Sequence, residues 1–385
     1  MTDAYRTSRP RVVMVNNSEE TYTPTNSGAI ATWIWEVSQA AAGEGVAVSV
    51  LTRGAAVANY PGDDVTVVPR PVLSDRLPVA VGQRALRRAS GWRTVGLGTY
   101  TRHVLAALRR LPPGGIVVCH NDPELAVVLA RALDRARVVH WFHNPILTSD
   151  RWRRRYRVAR VRSVAVSRAV ARTVELLYEL PGASVEAVIN GVDLSRFAPG
   201  GSDERGDPVR IGFVGRTGWE KGLDVLLEAC LRLVREERFA LQVVGSNHWG
   251  ERVDDAYQRR LDDLFDQLEA AGFPVTRLGH VGRAELPGVM RDTDVHVVPS
   301  RWDEPCSLSL LEGMATGLAV VATATGGTPE VLGQAGMLVP RDDPDAVAST
   351  LETLLDDDLR GRLGRKARQR AEGLTWEEVW QAIVT

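Results

Sequence analysis

Lysine is almost missing from this chain: Lys221 and Lys366 stand alone among 47 basic residues. A lysine inside a motif is therefore less apt to be incidental. Cysteine is scarce as well. Cys119, Cys230 and Cys306 are too few for a disulfide framework, and no two have metal-ligand spacing. No apolar run approaches the roughly 18 residues of a membrane span; Leu125–Ala130 is typical of the longest. The opening stretch Met1–Arg6 lacks the apolar core of a signal peptide. These absences predict a cytoplasmic protein of a reducing compartment. What remains is ordinary globular composition, 44% hydrophobic and 25% charged, which excludes disorder and collagen-like structure. A length of 385 residues fits two or three domains.

Charge is unevenly spread. Residues 1–200 hold 26 Arg, no Lys and 16 acidic residues, a net of +10; the remainder hold 21 basic against 32 acidic, a net of −11. Opposite signs suggest two domains that attract across a cleft, although solvated surface charge explains most of the arginines.

Periodicity supports that division. Short β-branched runs read as strands at 11–15, 46–51, 116–119, 137–142, 164–167 and 185–189. Helical spacing covers 30–42, 123–134 and 168–179. The polar Gly/Pro stretch 199–208 reads as a linker. A second series follows, with strands at 209–214, 240–244, 275–278, 294–298, 319–322 and 336–339. Its helices fall near 221–236, 254–271, 284–291, 307–316, 344–355, 357–371 and 376–384. Repeated βα units predict an α/β protein of two doubly wound, Rossmann-like domains with ligands at strand C-termini.

Two constellations carry chemistry. The first is Gly215-Arg216-Thr217-Gly218-Trp219-Glu220-Lys221-Gly222, between a strand and a helix. Such a turn brings a phosphate to backbone N–H groups, and Arg216 and Lys221 add the charge that a diphosphate leaving group requires. The order is neither a P-loop nor a dinucleotide fingerprint, so a turn with surface charges is the competing reading. The second runs from Glu304 to Glu312, with seven residues between the carboxylates. A helix from Ser307 would point its first N–H groups at a phosphate, and carboxylates accept hydrogen bonds from sugar or ribose hydroxyls. Each Glu alone is more often a cap or a surface charge. Pro299-Ser300 upstream and Gly326-Gly327-Thr328-Pro329-Glu330 downstream make the set specific.

Together these residues resemble the retaining glycosyltransferases of family four, which have the GT-B fold. The resemblance covers nearly the whole chain and is strongest over 209–333. Residues 214–229 look like that family's donor-phosphate segment, and 298–322 like its Glu-x7-Glu motif. Ser27-Gly28-Ala29, His143 and 188–193 match weaker positions. The resemblance implies an acceptor-binding domain over 1–200 and a donor-binding domain over 201–370. It leaves 371–385 as a C-terminal helix that packs back on the first domain. It further implies that Arg216 and Lys221 bind the donor diphosphate, Glu304 the transferred sugar and Glu312 the ribose. Gly28, Gly215, Val281, Ser307, Leu308 and Ser309 would contact donor through backbone or close approach, and His143 would face the reaction centre. Two positions depart from the family: Ala29 and Ser307 stand where it usually has glycine.

The expected reaction is metal-independent transfer of a hexose-type sugar from a nucleotide-diphosphate donor, UDP favoured, to an unidentified acceptor hydroxyl, with no cofactor. No Asp-x-Asp metal motif stands in a suitable loop. An epimerase or hydrolase of the same fold, or a non-catalytic sugar-nucleotide-binding partner, are the alternatives. A phosphorylase would need a pyridoxal phosphate lysine, and a dehydrogenase a glycine fingerprint after the first strand, where Asn16-Asn17-Ser18-Glu19 stands. His120 also ends a strand, with a structural role favoured. His296 and Cys306 read as packing residues. The basic stretch 151–162 reads as a solvated or domain-facing helix, with a peripheral contact at the inner membrane face as the second reading and nucleic acid disfavoured. Trp219 or Trp302 is the tryptophan expected near the cleft.

Overall fold

A computed structural model describes residues 11–18, 20–24, 28–54, 60, 64–68, 94–109, 113–200, 207–246 and 256–385. Ser27 and the stretch 69–93 lie outside them. The chain divides into two compact units. Unit 1 comprises 1–166, 170–188 and 379–385; unit 2 comprises 167–169 and 189–378.

Unit 1 is built on a seven-stranded parallel sheet: β1 (Val12–Val15), β2 (Val48–Arg53), β3 (Asp64–Val68), β4 (Ile116–His120), β5 (Arg137–Phe142), β6 (Arg162–Ala165) and β7 (Glu186–Ala187). Their spatial order is β3-β2-β1-β4-β5-β6-β7. The central strands are buried on both faces, as their uninterrupted apolar sequences require. Unit 2 has six: β8 (Val209–Val214), β9 (Phe239–Val244), β10 (Val275–Gly279), β11 (Val295–Val298), β12 (Ala319–Thr323) and β13 (Met337–Val339). Their order, β10-β9-β8-β11-β12-β13, repeats the first plan. A contiguous core of Ile211, Phe213, Leu226, Phe239, Leu264 and Val297 joins this sheet to its helices. In each sheet the strand order reverses beside the first strand, between β1 and β4 and between β8 and β11. That crevice, at the strands' carboxyl ends, is where such sheets bind ligands.

Several expectations need correction. The two compact units divide at 188/189, ahead of the expected 199–208 linker, of which 201–206 lie outside the described residues. Asn190 already donates from Nδ2 to the Cys306 carbonyl at 3.2 Å, and Val192 N–H to the Leu374 carbonyl at 3.0 Å, so these residues fold with unit 2. The strand expected at 164–167 is Arg162–Ala165, its first residue held by Glu186 of the neighbouring strand at 2.7 Å. The strand β3 and a helix over Thr94–Leu108 fall where the periodicity indicated no element. β3 is an edge strand with little burial, and the helix carries Gly96 and Gly98, which lower its propensity. The single helix expected over 221–236 is broken. A one-turn 3-10 segment, Trp219–Lys221, precedes the helix Leu223–Arg232, because Gly222 takes φ +65°. A Cβ there would also lie 2.0 Å from the Pro299 carbonyl oxygen.

The last helix, Trp376–Val384, has its final residues in unit 1. Arg137 donates to the carbonyls of Ile383 (2.6 Å) and Thr385 (2.7 Å), and Arg162 to that of Ala382 (2.6 Å). Two cations thus satisfy the carbonyls that a helix C-terminus leaves open. Trp380 Nε1 donates to Glu44 at 3.2 Å, and Ile383 is fully buried.

Candidate active site

In unit 2 the crevice is assembled from the ends of β8 and β11. Gly215 continues β8 by donating to the Val244 carbonyl, and Gly245 donates to that of Gly279 at 2.7 Å. A Cβ on Gly245 would stand 1.8 Å from the Gly215 oxygen, so these strand ends close up only through glycine. After Gly218 the 3-10 turn lifts Lys221 toward the loop that follows β11. That loop is tied down from two sides. Arg301 N–H donates to the Glu220 carbonyl at 2.9 Å. Its guanidinium grips Asp224 with two bonds, at 2.5 and 2.8 Å, and also pairs with Asp342. Asp224 is buried, which alone would raise its pKa, but bonds from Arg301 and Tyr257 outweigh that and hold it below the ordinary carboxylate value.

The result is a short-range cluster. Lys221 Nζ lies 2.6 Å from Glu304 Oε1, and Ser300 Oγ donates to the same oxygen at 2.5 Å. The Glu304 side chain is 3% exposed and that of Lys221 20%. Lys221 Nζ also sits 5.6 Å from the Trp302 ring. Behind Glu304 the chain passes Gly326 and Gly327. Gly327 N–H donates to the Glu304 carbonyl at 2.6 Å, and a Cβ on Gly326 (φ +53°) would meet that oxygen at 2.3 Å.

The helix Leu308–Ala315 starts beside this cluster in sequence. Ser307 caps it, its Oγ accepting from Leu310 N–H at 3.3 Å with an ordinary backbone φ of −69°. Leu308 and Ser309, half-buried, occupy the first turn, whose N–H groups have no intrahelical acceptor. One turn on, the buried Glu312 is paired with Arg283 at 2.5 Å. Arg283 comes from the loop after β10 that also carries the half-buried Val281. Arg216 lies apart from the Lys221–Glu304 pair, 59% exposed and 2.9 Å from Glu220.

The structure therefore brings Lys221 and Glu304 into direct contact, although the family resemblance implies separate ligands for them. Ser300 and Arg301 lie inside the 298–322 motif segment without a role legible from spacing, and nothing in the sequence marks Arg283. Trp302 stands by Lys221; Trp219 is 60% exposed with the Arg301 guanidinium 5.3 Å from its ring. Cys306 is buried, its thiol pushed up to about 12 chiefly by burial, which fits packing rather than nucleophilic chemistry. His296 is buried against Gly313, and burial lowers its pKa to about 4. Asp292 and Asp294 lie at the amino end of β11, where Asp294 accepts from Arg210 N–H. Among the described residues no group of three His, Cys, Asp or Glu side chains is placed to hold a metal ion.

Gly28 and His143 belong to unit 1. Gly28 precedes the helix Ala29–Gly43, and a Cβ on it would lie 2.7 Å from the Glu20 carboxylate. Ala29 is exposed at the helix start. His143 follows β5. Asn121, in the left-handed region at φ +49°, accepts on Oδ1 from the N–H groups of His143 (2.8 Å) and Asn144 (3.2 Å). Next to it, Asp122 caps the helix Pro123–Ala132. His120 Nδ1 is 3.0 Å from His143 Nε2. His140, beneath, is 2.9 Å from Tyr156 Oη, which in turn lies 2.7 Å from Ser163 Oγ. Burial lowers the pKa of His143 and of His140 to about 3, and that of His120 well below the ordinary value. All three are neutral at pH 7. Trp33 packs edge-on against the His143 ring, centroids 5.4 Å apart.

The basic stretch forms the helix Asp150–Arg157. Trp152 and Tyr156 are buried, Arg153 bonds Asp150 and the Leu177 carbonyl, and Arg157 pairs with Glu179 at 2.6 Å. No helix among the described residues is long and apolar enough to cross a membrane.

Comparison with known proteins agrees with this architecture. Residues 30–196 match the family described as Glycosyltransferase Family 4, and residues 208–357 that described as Glycosyl transferases group 1. A D-inositol 3-phosphate glycosyltransferase of Corynebacterium jeikeium is 35% identical over 224 residues, 54% of this chain and 52% of that protein. The chain thus spans about half the length of that relative. Among solved structures, a glycosyltransferase of Rickettsia africae superposes with a TM-score of 0.75 at 15% identity over 97% of each chain. The Anabaena protein HepE, solved in complex with UDP and glucose, gives 0.70 at 17% identity, covering 97% of this chain and 98% of its own. Identities this low establish the shared GT-B fold.

Proposed function

This chain belongs to glycosyltransferase family four, and from that premise we propose that it transfers a hexose-type sugar from a UDP-linked donor to an acceptor hydroxyl, with retention of configuration and without a metal ion. The observation that carries the reading is the Lys221–Glu304–Ser300 cluster at the β8/β11 crevice. Glu304 is buried and held on two sides, so it presents its remaining lone pairs in a fixed direction, suited to sugar hydroxyls. Lys221 is a cation positioned by that carboxylate, beside a helix whose first N–H groups are open. An arriving diphosphate would find Lys221, the exposed guanidinium of Arg216 and that helix end. These together supply the charge stabilisation a metal ion gives elsewhere. Glu312, paired with Arg283, would order a ribose, and the backbone near Val281 a base. The complexes of the HepE structure with UDP and with UDP-glucose support the choice of nucleotide.

In the proposed step the anomeric C–O bond to the diphosphate breaks while the acceptor oxygen bonds the same face of the sugar. The acceptor's proton passes to the departing phosphate oxygen, giving UDP and a glycoside. His143 holds the sugar. The test is thermal stability against nucleoside diphosphates and their sugars, with and without EDTA. A ligand at ~100 times its dissociation constant adds about 2.7 kcal/mol. Stabilisation by UDP that survives EDTA is expected. Absence of a shift with every nucleotide would overturn the donor-site reading, whereas binding without turnover would favour the non-catalytic partner.

A further inference from the structure

Beyond the donor site, unit 1 holds a hydrogen-bonded imidazole pair that the proposed step uses on one side only. His120 and His143 end adjacent strands, and the left-handed turn at Asn121 clamps them together. The pair is buried and both rings are neutral, so a single proton is shared between His120 Nδ1 and His143 Nε2. Two arrangements satisfy this. If His143 Nε2 donates, His120 must carry its own proton on Nε2. That atom is buried and has no hydrogen-bond acceptor among the described residues. If His120 Nδ1 donates, the same atom is a bare nitrogen. An orphaned buried N–H is the rarer and costlier of the two defects.

We propose that His120 is a positioning residue: its Nδ1–H donates to His143 Nε2 and thereby fixes the His143 proton on Nδ1. His143 Nδ1 makes no hydrogen bond among the described residues. His143 is therefore a permanent donor toward whatever lies at the end of β5, suited to the oxygen of a sugar hydroxyl or an acceptor and unable to act as a base there. A histidine free to choose its tautomer would divide between donor and acceptor. This inference rests on the proposed sugar-facing role of His143 for its consequence, but not for the tautomer itself.

The test is nitrogen NMR of the full chain labelled in histidine, at pH 7, with the His143 signals assigned from the His143→Ala variant. A protonated Nδ1 and a bare, hydrogen-bonded Nε2 are expected. His120→Asp puts an acceptor where the Nδ1–H donor stood, and His143 should then show Nε2 protonation. His120→Asn, whose amide nitrogen can stand where Nδ1 stood, should keep the proton on Nδ1. UDP release from UDP-glucose should fall about five- to tenfold in His120→Asp with UDP affinity unchanged, and stay near the wild-type rate in His120→Asn. A wild-type His143 protonated on Nε2, or an Nε2 that stays bare in His120→Asp, overturns the proposal. Failure of the catalytic reading looks different: UDP would not bind, or His143→Ala would turn over normally, while the NMR tautomer stood as assigned.

Discussion

The two units share one strand plan, yet they fill the corresponding crevice with opposite chemistry. Unit 2 places charges there: Lys221 on Glu304, Arg283 on Glu312, Arg301 on Asp224. Unit 1 places neutral rings there: His120, His140 and His143, among Trp33 and Trp141. A parallel sheet supplies strand ends and helix starts, and says nothing about which polar groups stand on them. The difference fits two tasks, stabilising a diphosphate and ordering uncharged hydroxyls. It also means that the units should fail under different insults.

The largest effect is expected at the ionic cluster. Lys221→Ala leaves Glu304 buried with only Ser300, which should cost unit 2 about 3 kcal/mol. UDP-sugar turnover should fall by two orders of magnitude or more, roughly what losing a key charge-stabilising donor costs. Glu304→Ala should abolish turnover too, and the double variant should be less destabilised than the sum of the singles, as calorimetry would read. Full activity in either single variant would remove that residue from the reaction.

Acid should separate the units. Each buried histidine of unit 1 has a folded pKa below its unfolded value of about 6.5, so the unfolded state binds more protons between those values. Stability therefore rises with pH across that window and is lost as pH falls from about 6.5 toward 3. In unit 2 the buried His296 acts in the same sense between about 6.5 and 4, one ring against three, while Asp224, its pKa depressed, contributes above about 3.8 and loses that contribution only below it. Amide exchange at pH 7, 6 and 5 should show unit 1 loosening first. Simultaneous loss would contradict the contrast.

Glycine substitutions sharpen it on a smaller scale. Gly326→Ala combines a left-handed φ with a carbonyl 2.3 Å from the new methyl, and should cost about 3 kcal/mol and shift Glu304. Gly114→Ala in unit 1 has a φ of +79° with nothing within 4 Å, leaving strain alone at about 1 kcal/mol. Smallest is Arg216→Gln. The exposed pair with Glu220 should contribute under about 0.5 kcal/mol to melting, while UDP binding weakens measurably.

Much of the fold could be read from residue order, because buried parallel strands are short β-branched runs. β5 and β8 fall within the bounds their apolar stretches indicate. β3 escaped because an edge strand need not be apolar, and Thr94–Leu108 because its glycines hide its period. At the site, motif spacing brought out Lys221, Glu304 and Glu312 but not what each one touches. Lys221 meets a carboxylate 83 positions away, and Arg283 reaches Glu312 from a loop with no periodicity. Such pairings are products of the finished sheet. The His120–His143 bond is of the same kind, since it depends on adjacent strands ending level.

The contacts of the last helix bear on the order of events during synthesis. Arg137, Arg162 and Glu44 find their partners in residues 380–385, which leave the ribosome after all of unit 2. Unit 1 emerges first but is finished last. Until then Arg137 and Arg162 lack their carbonyl partners, and Ile383 and Trp380 are still to be buried. The half of the molecule with the earlier start is thus the one exposed longest to proteases and chaperones.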